Sequence, residues 1–483
     1  MDPTESNTRL ARIPANCRLI HLMGIGGTAM AALAGMLKER GFAVSGSDNE
    51  LYEPTASLLK RMHIDARRGF APSNLDPAPD LVVVGNVVTR NNSEAQALLK
   101  SAIPYVSMPE ALWHFFLSTR CPLMVCGTHG KTTSTSLMAQ VLIAAGRDPG
   151  VLIGGVSLNL GSNYYLGAGR YFVIEGDEYD TAFFDKGPKF LHYRPQGAIM
   201  TSLEFDHADI YRDLAHVKSA FAAMVTRLDR SAVLAVCADY PAALEVAAQS
   251  GARRLDFGLR AGQFQAASIR ADSAGTHFDI VHGDRVIVRD LLVPLWGLMN
   301  VANALGVYVL LREFGLDDAQ IAHGMASFKG VARRQELVGE ADGIAVIDDF
   351  AHHPTAIAAT LAALADRYPG RRILAAFEPR SNTSRRNVFQ SQFAQAFDRA
   401  ARVYLAPVYF KENDPIPPPE RLSTDRLAAE ISSRGPQAIA CGSNEELLRQ
   451  LLNDAQTGDV ITVMSNGPFE NLKTRILDGL RCR

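Results

Sequence analysis

Apolar runs four to six residues long recur along this chain. Most close on a glycine or an acid, and many are followed by a helical stretch. Residues 17–22 read as a strand that enters Gly24-Ile25-Gly26-Gly27-Thr28 and then a helix over 29–40. Further strands are predicted at 42–45, which leads into Gly46-Ser47-Asp48, and at 81–84. The pattern resumes at 123–126, 171–175, 198–201 and 233–237, and again at 344–347, 373–377, 403–405 and 460–464, with a helix over 355–368. Strands alternating with helices predict an α/β fold with parallel sheets covered by helices. Residues 264–294 differ. Apolar and polar positions alternate there around Gly275 and His282-Gly283-Asp284, which predicts antiparallel hairpins before a helix over 300–312. The changes of pattern divide the chain into three expected domains, 1–115, 116–328 and 329–483.

The most informative polar segment follows the apolar run 122–126. Gly127-Thr128-His129-Gly130-Lys131-Thr132-Thr133 stands between a predicted strand and a predicted helix. It is a phosphate loop shortened at its first glycine. Backbone N–H groups and the helix start would face a polyphosphate, Lys131 would add charge, and Thr132 would reach Mg²⁺. ATP and Mg²⁺ are therefore the expected cofactors. A glycine turn with a surface lysine is the plainer alternative.

Acids at the ends of the next strands fit that chemistry. Glu175-Gly-Asp-Glu-Tyr-Asp180 closes the strand 171–175, and Glu175 is the candidate metal ligand. Glu204-Phe-Asp-His207-Ala-Asp209 follows the strand 198–201, and His207 is the candidate ligand of a second cation. In the third segment Arg333-Arg334-Gln-Glu336, Asp348-Asp349-Phe-Ala-His352-His353 and Glu378-Pro-Arg380-Ser-Asn382-Thr383 lie at predicted strand ends. His352 is a candidate for phosphate, Asp349 for an arginine or ribose, and Arg380 for a substrate carboxylate or a structural ion pair. In the first segment Gly24, Gly26, Gly27 and Thr28 form a glycine-rich first turn. Asp48 stands where a ribose-binding acid follows such turns.

Composition removes other classes. A net charge of -2 gives no electrostatic case for nucleic acid or an anionic membrane. Six scattered cysteines without C-x-x-C spacing read as thiols of a reducing compartment. The polar opening MDPTESNTRLARIPAN is not a signal peptide, and no apolar run approaches membrane-spanning length, so a cytoplasmic location is expected.

Taken in order, these motifs resemble the Mur ligase family over essentially the whole chain. The carriers are His21-Leu-Met-Gly-Ile-Gly-Gly27, Gly127-Thr-His-Gly-Lys-Thr-Thr133, Glu175-Gly-Asp-Glu178, Glu204-Phe-Asp-His207, Asn300-Val-Ala-Asn303, Arg334-Gln-Glu336 and Asp349-Phe-Ala-His-His-Pro354. The resemblance implies Rossmann-like N- and C-terminal domains around a central P-loop ATPase-type domain. It implies an ATP-dependent amide ligase acting through an acyl phosphate, with the C-terminal domain closing over the amine substrate. Lys131, Glu175, His207, Arg334 and His352 would be catalytic. Gly127 to Thr133, Asn300, Arg334 and Asp349 would bind nucleotide. Gly24, Gly26, Gly27, Thr28, Asp48, Arg380, Asn382 and Thr383 would bind substrates, and Thr132, Glu175 and His207 would hold metal.

The His21 loop resembles members that take UDP-N-acetylmuramate itself. The amine is then either L-alanine or the murein tripeptide L-alanyl-γ-D-glutamyl-meso-diaminopimelate. Phe183 to Tyr193 and Glu378-Pro-Arg-Ser-Asn-Thr383 favour the tripeptide. A monomer or weak homodimer is expected. Met299 stands where related members carry histidine before the Asn300 motif, which removes an imidazole contact to adenine. Two other classes stay open: a plain P-loop ATPase or kinase, and a nucleotide-gated regulatory protein without catalysis.

Overall fold

The computed structural model describes residues 3–51, 53, 55–410, 414 and 416–483, with side chains in the first helix described from Ser6 onward. Met1 and Asp2 of the polar opening lie outside the described residues. The chain forms two compact units. The first runs to Leu203 and adds Lys218–Asp256 and Gly306–Gly324. The second comprises Glu204–Val217, Phe257–Leu305 and Met325–Arg483.

The first unit opens with α1 (Pro3–Leu10) and a five-stranded parallel sheet. Its strands are β1 (Leu19–Met23), β2 (Ala43–Asp48), β3 (Asp65–Arg68), β4 (Leu81–Val84) and β5 (Tyr105–Ser107), in the order β3-β2-β1-β4-β5. Strand β1 is central, with Leu22 level with Gly46 on one side and Val83 on the other. The order reverses at β1, which opens a crevice at its C-terminal end, and the Gly24 loop lies there. Helix α2 (Thr28–Glu39) follows it directly, and α3 (Met108–Leu112) follows β5.

A second sheet in the same unit has the order β14-β13-β12-β6-β9-β7-β8. Its strands are β6 (Cys121–Cys126), β7 (Gly150–Ser157), β8 (Ser162–Leu166), β9 (Tyr171–Gly176), β12 (Gly197–Met200), β13 (Val233–Cys237) and β14 (Arg253–Gly258). A small hairpin, β10 (Asp180–Ala182) and β11 (Asp185–Pro188), leaves the end of β9. Strand β6 lies between β9 and β12, with Val125 level with Glu175 and Ile199. All six of its residues are buried, so its end anchors the loop 127–130, and α4 (Lys131–Ala144) continues from that loop.

In the second unit Phe257 and Gly258 of β14 pair with β15 (Phe264–Asp272), which begins a meander with β16 (Gly275–His282) and β17 (Arg285–Val293). The antiparallel pairing is the one predicted from alternation: Ile280 faces Val288 and His282 faces Arg285 across the turn at Gly283. Helix α5 (Leu298–Glu313) begins in this unit. A six-stranded sheet follows, in the order β18-β19-β23-β20-β21-β22. Its members are β18 (Glu336–Ala341), β19 (Ile344–Asp349), β20 (Ile373–Phe377), β21 (Arg402–Leu405), β22 (Gln437–Ala440) and β23 (Val460–Met464), with α6 (Pro354–Arg367) after β19.

The pleat sends alternate residues of these strands into two cores. Ile347, Ile373 and Phe377 pack with Leu361 and Phe393 on one face, while Val346, Leu374 and Tyr404 pack with Leu451 and Ile476 on the other. Each such side chain contributes about 1.5–3 kcal/mol by leaving water. Strand β18 was not predicted as a strand. It is the antiparallel edge of an otherwise parallel sheet, and its half-exposed Glu336 to Ala341 lack a long apolar run.

Candidate active site

At the end of β6 the backbone turns through Gly127 (φ 129°) and Gly130 (φ 82°), both left-handed. At Gly127 a Cβ would collide with Thr201 Oγ1, so that position needs glycine. The loop is tied to the adjoining strand end: Thr128 N donates to Ser202 O (3.0 Å) and His129 N to Ser202 Oγ (2.9 Å). Helix α4 then starts at Lys131 with Gly130 as its N-cap, so the helix start lies at the end of the buried strand as predicted.

Lys131 Nζ donates to Gly127 O (2.6 Å) and to both carboxylate oxygens of Glu178 (3.0 and 2.9 Å). Burial pushes the lysine toward its neutral form. Glu178, then Asp177, and last Glu175, outweigh that cost and hold its pKa above the ordinary lysine value. Thr132 Oγ1 donates to Glu175 Oε2 (3.2 Å), and Gly154 N donates to Glu175 Oε1 (2.6 Å). The hydroxyl and carboxylate predicted to hold metal are thus in contact, and their oxygen donors suit a hard divalent cation such as Mg²⁺.

The glycine-rich first turn holds its shape through Asp48. Gly24 is left-handed (φ 83°), and Gly26 N donates to Asp48 Oδ2 (2.8 Å). Burial raises the pKa of Asp48 against the lowering effect of that bond and those from Asn49 and Glu50. Asp48 therefore shapes the turn that it was predicted to serve as a ribose acid. His21 is buried and joined to Glu94 Oε1 (2.9 Å) and Ser45 Oγ (2.9 Å).

Gly27 and Thr28 from this turn, Asn86 from the end of β4, and Glu175, Asp177 and Lys189 line one cavity of about 280 Å³. The segment predicted to bind sugar and the acid predicted to bind metal therefore share one space. Sequence reasoning did not single out Glu178, Gly154 or Lys189. Glu178 lay in a run of four acids, and nothing local marked it as the lysine's partner. Lys218 pairs with Glu245.

The remaining predicted residues belong to the second unit. His207 adopts a left-handed backbone (φ 53°), and its carbonyl accepts from Ile210 N (2.8 Å) and Tyr211 N (2.9 Å). Asp206 beside it is buried. Burial alone would raise its pKa, but His207, His352 and His353 hold it well below the usual carboxylate range. His353 Nε2–H donates to Phe205 O (3.2 Å) while its Nδ1 accepts from Thr355 N (3.3 Å). His352 Nδ1 donates to Phe350 O (2.9 Å), and burial lowers its pKa although Asp206 opposes the shift.

The two adjacent arginines separate in role. Arg333 is spent on Ser465 O (2.6 Å), Gly467 O (2.7 Å) and Asp348 (3.5 Å). Arg334 lies over the Phe350 ring at 4.4 Å. Asp349 uses one oxygen for Gln335 N (2.7 Å) and the other for Ala351 N (2.7 Å), so it braces the strand end. Its pKa is raised, chiefly by burial.

Arg380 pairs with Glu378 Oε1 (3.2 Å) through Nη1 and lies over the Tyr409 ring at 4.0 Å. Asn382 bridges Asp209 (2.7 Å) and Arg385 (2.8 Å), and Thr383 Oγ1 accepts from Ala208 N (3.1 Å). Asn382 and Thr383 therefore tie the loop after β20 to the one carrying His207. Asn300 donates to Trp296 O (2.9 Å) in the first turn of α5.

Family comparison agrees along the chain. The description "Mur ligase family, catalytic domain" matches residues 19–119, "Mur ligase middle domain" matches 125–311, and "Mur ligase, glutamate ligase domain" matches 333–467. A relative from Escherichia coli K12 named UDP-N-acetylmuramate–L-alanyl-gamma-D-glutamyl-meso-2,6-diaminoheptandioate ligase is 38% identical over 95% of this chain and 98% of its own. The chain belongs to the Mur ligase family. Mur ligases are ATP-dependent amide ligases, so the rival readings as a plain ATPase or a regulatory protein fall away. A UDP-N-acetylmuramate–L-alanine ligase from Variovorax paradoxus is 33% identical over 95% of both chains. The crystal structure of a murein peptide ligase from Psychrobacter arcticus superposes with a TM-score of 0.71 at 33% identity, covering 96% of this chain and 99% of that one. That match supports the three-domain Mur ligase architecture.

Proposed function

We propose that this Mur ligase joins UDP-N-acetylmuramate to L-alanyl-γ-D-glutamyl-meso-diaminopimelate in peptidoglycan recycling. The single observation that carries the reading is the cavity shared by Gly27, Thr28 and Glu175, beside Thr132 and Lys131. It allows a sugar acid and a terminal phosphate to meet. The greater identity to the tripeptide ligase than to the alanine ligase favours the tripeptide as amine.

A carboxylate and an amine do not condense unaided. Transfer of the ATP γ-phosphoryl group to the lactoyl carboxylate makes an acyl phosphate. The free amine of the tripeptide then attacks its carbonyl carbon, and inorganic phosphate leaves. Lys131 places its charge on the transferred phosphoryl group, and Glu178 keeps that charge in place. Thr132 and Glu175 are the proposed Mg²⁺ ligands, and His207 the ligand of a second cation. These ions, when bound, offset the repulsion between carboxylate and phosphate.

We assign residues 1–115 to the UDP-sugar, 116–328 to ATP and 329–483 to the amine substrate. Arg334 and His352 serve phosphate, Asn300 and Asp349 the nucleotide side, and Arg380, Asn382 and Thr383 the peptide side. The test is product mass with ATP, Mg²⁺ and UDP-N-acetylmuramate plus either tripeptide or L-alanine. Tripeptide product is expected, with oxygen-18 from the sugar carboxylate appearing in released phosphate. Rapid product from alanine and none from tripeptide would overturn the choice of amine.

A further inference from the structure

The first unit holds a second cavity of about 260 Å³, separate from the one described above. Phe190, Met224 and Leu228, all buried, give it an apolar floor, and Leu10 of α1 and Trp113 complete its walls. Arg194 and Arg227 also line it. Both arginines are exposed, and neither has an ion pair with a carboxylate among the described residues. The one acid in the lining, Glu110, is already held by Arg9 through Nη2 (2.9 Å) and Nε (3.1 Å). Arg194 sits at a left-handed φ of 41° and carries its guanidinium to 4.8 Å from the Trp113 ring centre. A non-glycine residue seldom adopts that conformation, and here it places a planar cation over an aromatic wall.

Two elements are common to both cavities. Helix α3 offers Met108 to the catalytic one and Glu110 to the second. The segment 189–194 contributes to both, with Lys189 and Tyr193 lining the catalytic cavity and Phe190, Leu191, His192 and Arg194 lining the second. His192 is further anchored to Asp185 of β11 (2.9 Å), and the partner strand β10 carries Thr181 into the catalytic cavity. Displacing the 3-10 turn Lys189–His192 from one side must therefore move Lys189 on the other.

We propose that the second cavity is an effector site for a small anion with a planar apolar body, such as an aromatic carboxylate or sulfonate. Its occupancy is transmitted through the turn Lys189–His192 to the sugar-acid cavity. The apolar floor takes the ring system, Arg194 and Arg227 take the anionic group, and the Lys189–Asp177 contact (3.3 Å) is what the catalytic cavity feels. The transmission rests on the sugar-acid reading of the first cavity, whereas the binding does not.

The probe is 1-anilinonaphthalene-8-sulfonate, titrated into the full chain with ATP and UDP-N-acetylmuramate already saturating. Energy transfer should saturate, lose the Trp113 contribution in Trp113→Phe and keep only what Trp296 supplies, and the probe affinity should weaken at least tenfold in Arg194→Gln/Arg227→Gln, a variant expected to ligate at the normal basal rate. Leu228→Trp, which fills the floor, should abolish it. Calorimetry should then show at least a twofold change in UDP-N-acetylmuramate affinity with the probe bound. Equal probe affinity in the double arginine variant, or displacement of the probe by the substrates, would overturn the site. An unchanged sugar affinity would overturn the transmission. Failure of the sugar to bind the probe-free protein would count against the proposed function instead.

Discussion

Lys131 and Glu178 lie 47 residues apart in sequence and form a buried ion pair. Removing one partner strands the other, at a cost of about 3–5 kcal/mol. Lys131→Ala should therefore abolish ligation and lower the thermal midpoint, while leaving UDP-sugar binding largely intact. Lys131→Ala/Glu178→Gln should regain most of the lost stability in calorimetry and none of the activity. A double variant as unstable as the single one would contradict the pairing. His352 gives the pH counterpart. Burial lowers its folded pKa below the unfolded value near 6.5, so the unfolded chain binds the proton first. Its contribution is present above about pH 6.5 and is lost as pH falls through the folded pKa. Urea midpoints should accordingly fall from pH 7.5 to 5.5, and His352→Asn should flatten that slope. The residue types at these positions were readable from the sequence. Their partners were not, because an ion pair across 47 residues leaves no local pattern.

At the level of elements, strand, loop and helix in succession were legible wherever a buried strand ends in a functional turn. The run 81–84 and the strands at 233–237, 373–377 and 460–464 stand where the apolar pattern placed them. Polar or half-exposed strands were missed. Strand β3 is Asp-Ala-Arg-Arg, and β18 and the hairpin β10–β11 also lack apolar runs, so pairing with neighbours rather than periodicity makes them strands. Loop interplay was equally hidden. A Cβ at Gly467, after β23, would collide with Arg380 Cδ, and Tyr409, after β21, covers the same guanidinium. Gly467→Ala and Tyr409→Leu should each raise KM for the tripeptide about tenfold, roughly the 1.4 kcal/mol of one displaced contact, with nucleotide affinity unchanged. Steady-state kinetics with each substrate varied in turn checks this. A matching loss in ATP affinity would place Arg380 elsewhere in the reaction.

For the whole molecule, the groups proposed to act on phosphate and metal already have protein partners: Lys131 has Glu178, and Glu175 has Thr132 and the backbone of Gly154. Folding without metal is therefore the expected outcome. Chelation by EDTA should stop ligation completely while shifting the thermal midpoint of the nucleotide-free protein by less than about 2 °C, well under the shift of 4 °C or more that a lost buried contact brings in a small domain. Among the described residues no helix is long and apolar enough to cross a membrane. By itself the sequence determined the family, the α/β character and the residues at the strand ends. Those signals are local: a run of apolar side chains, a glycine that permits a left-handed turn, a lysine at a helix start. Only the tertiary structure decided which acid meets Lys131, that Asp48 and Asp349 brace backbone, and that Gly27 and Glu175 look into one cavity. Sheet order and chain crossing set those distances, and neither is written in any single segment.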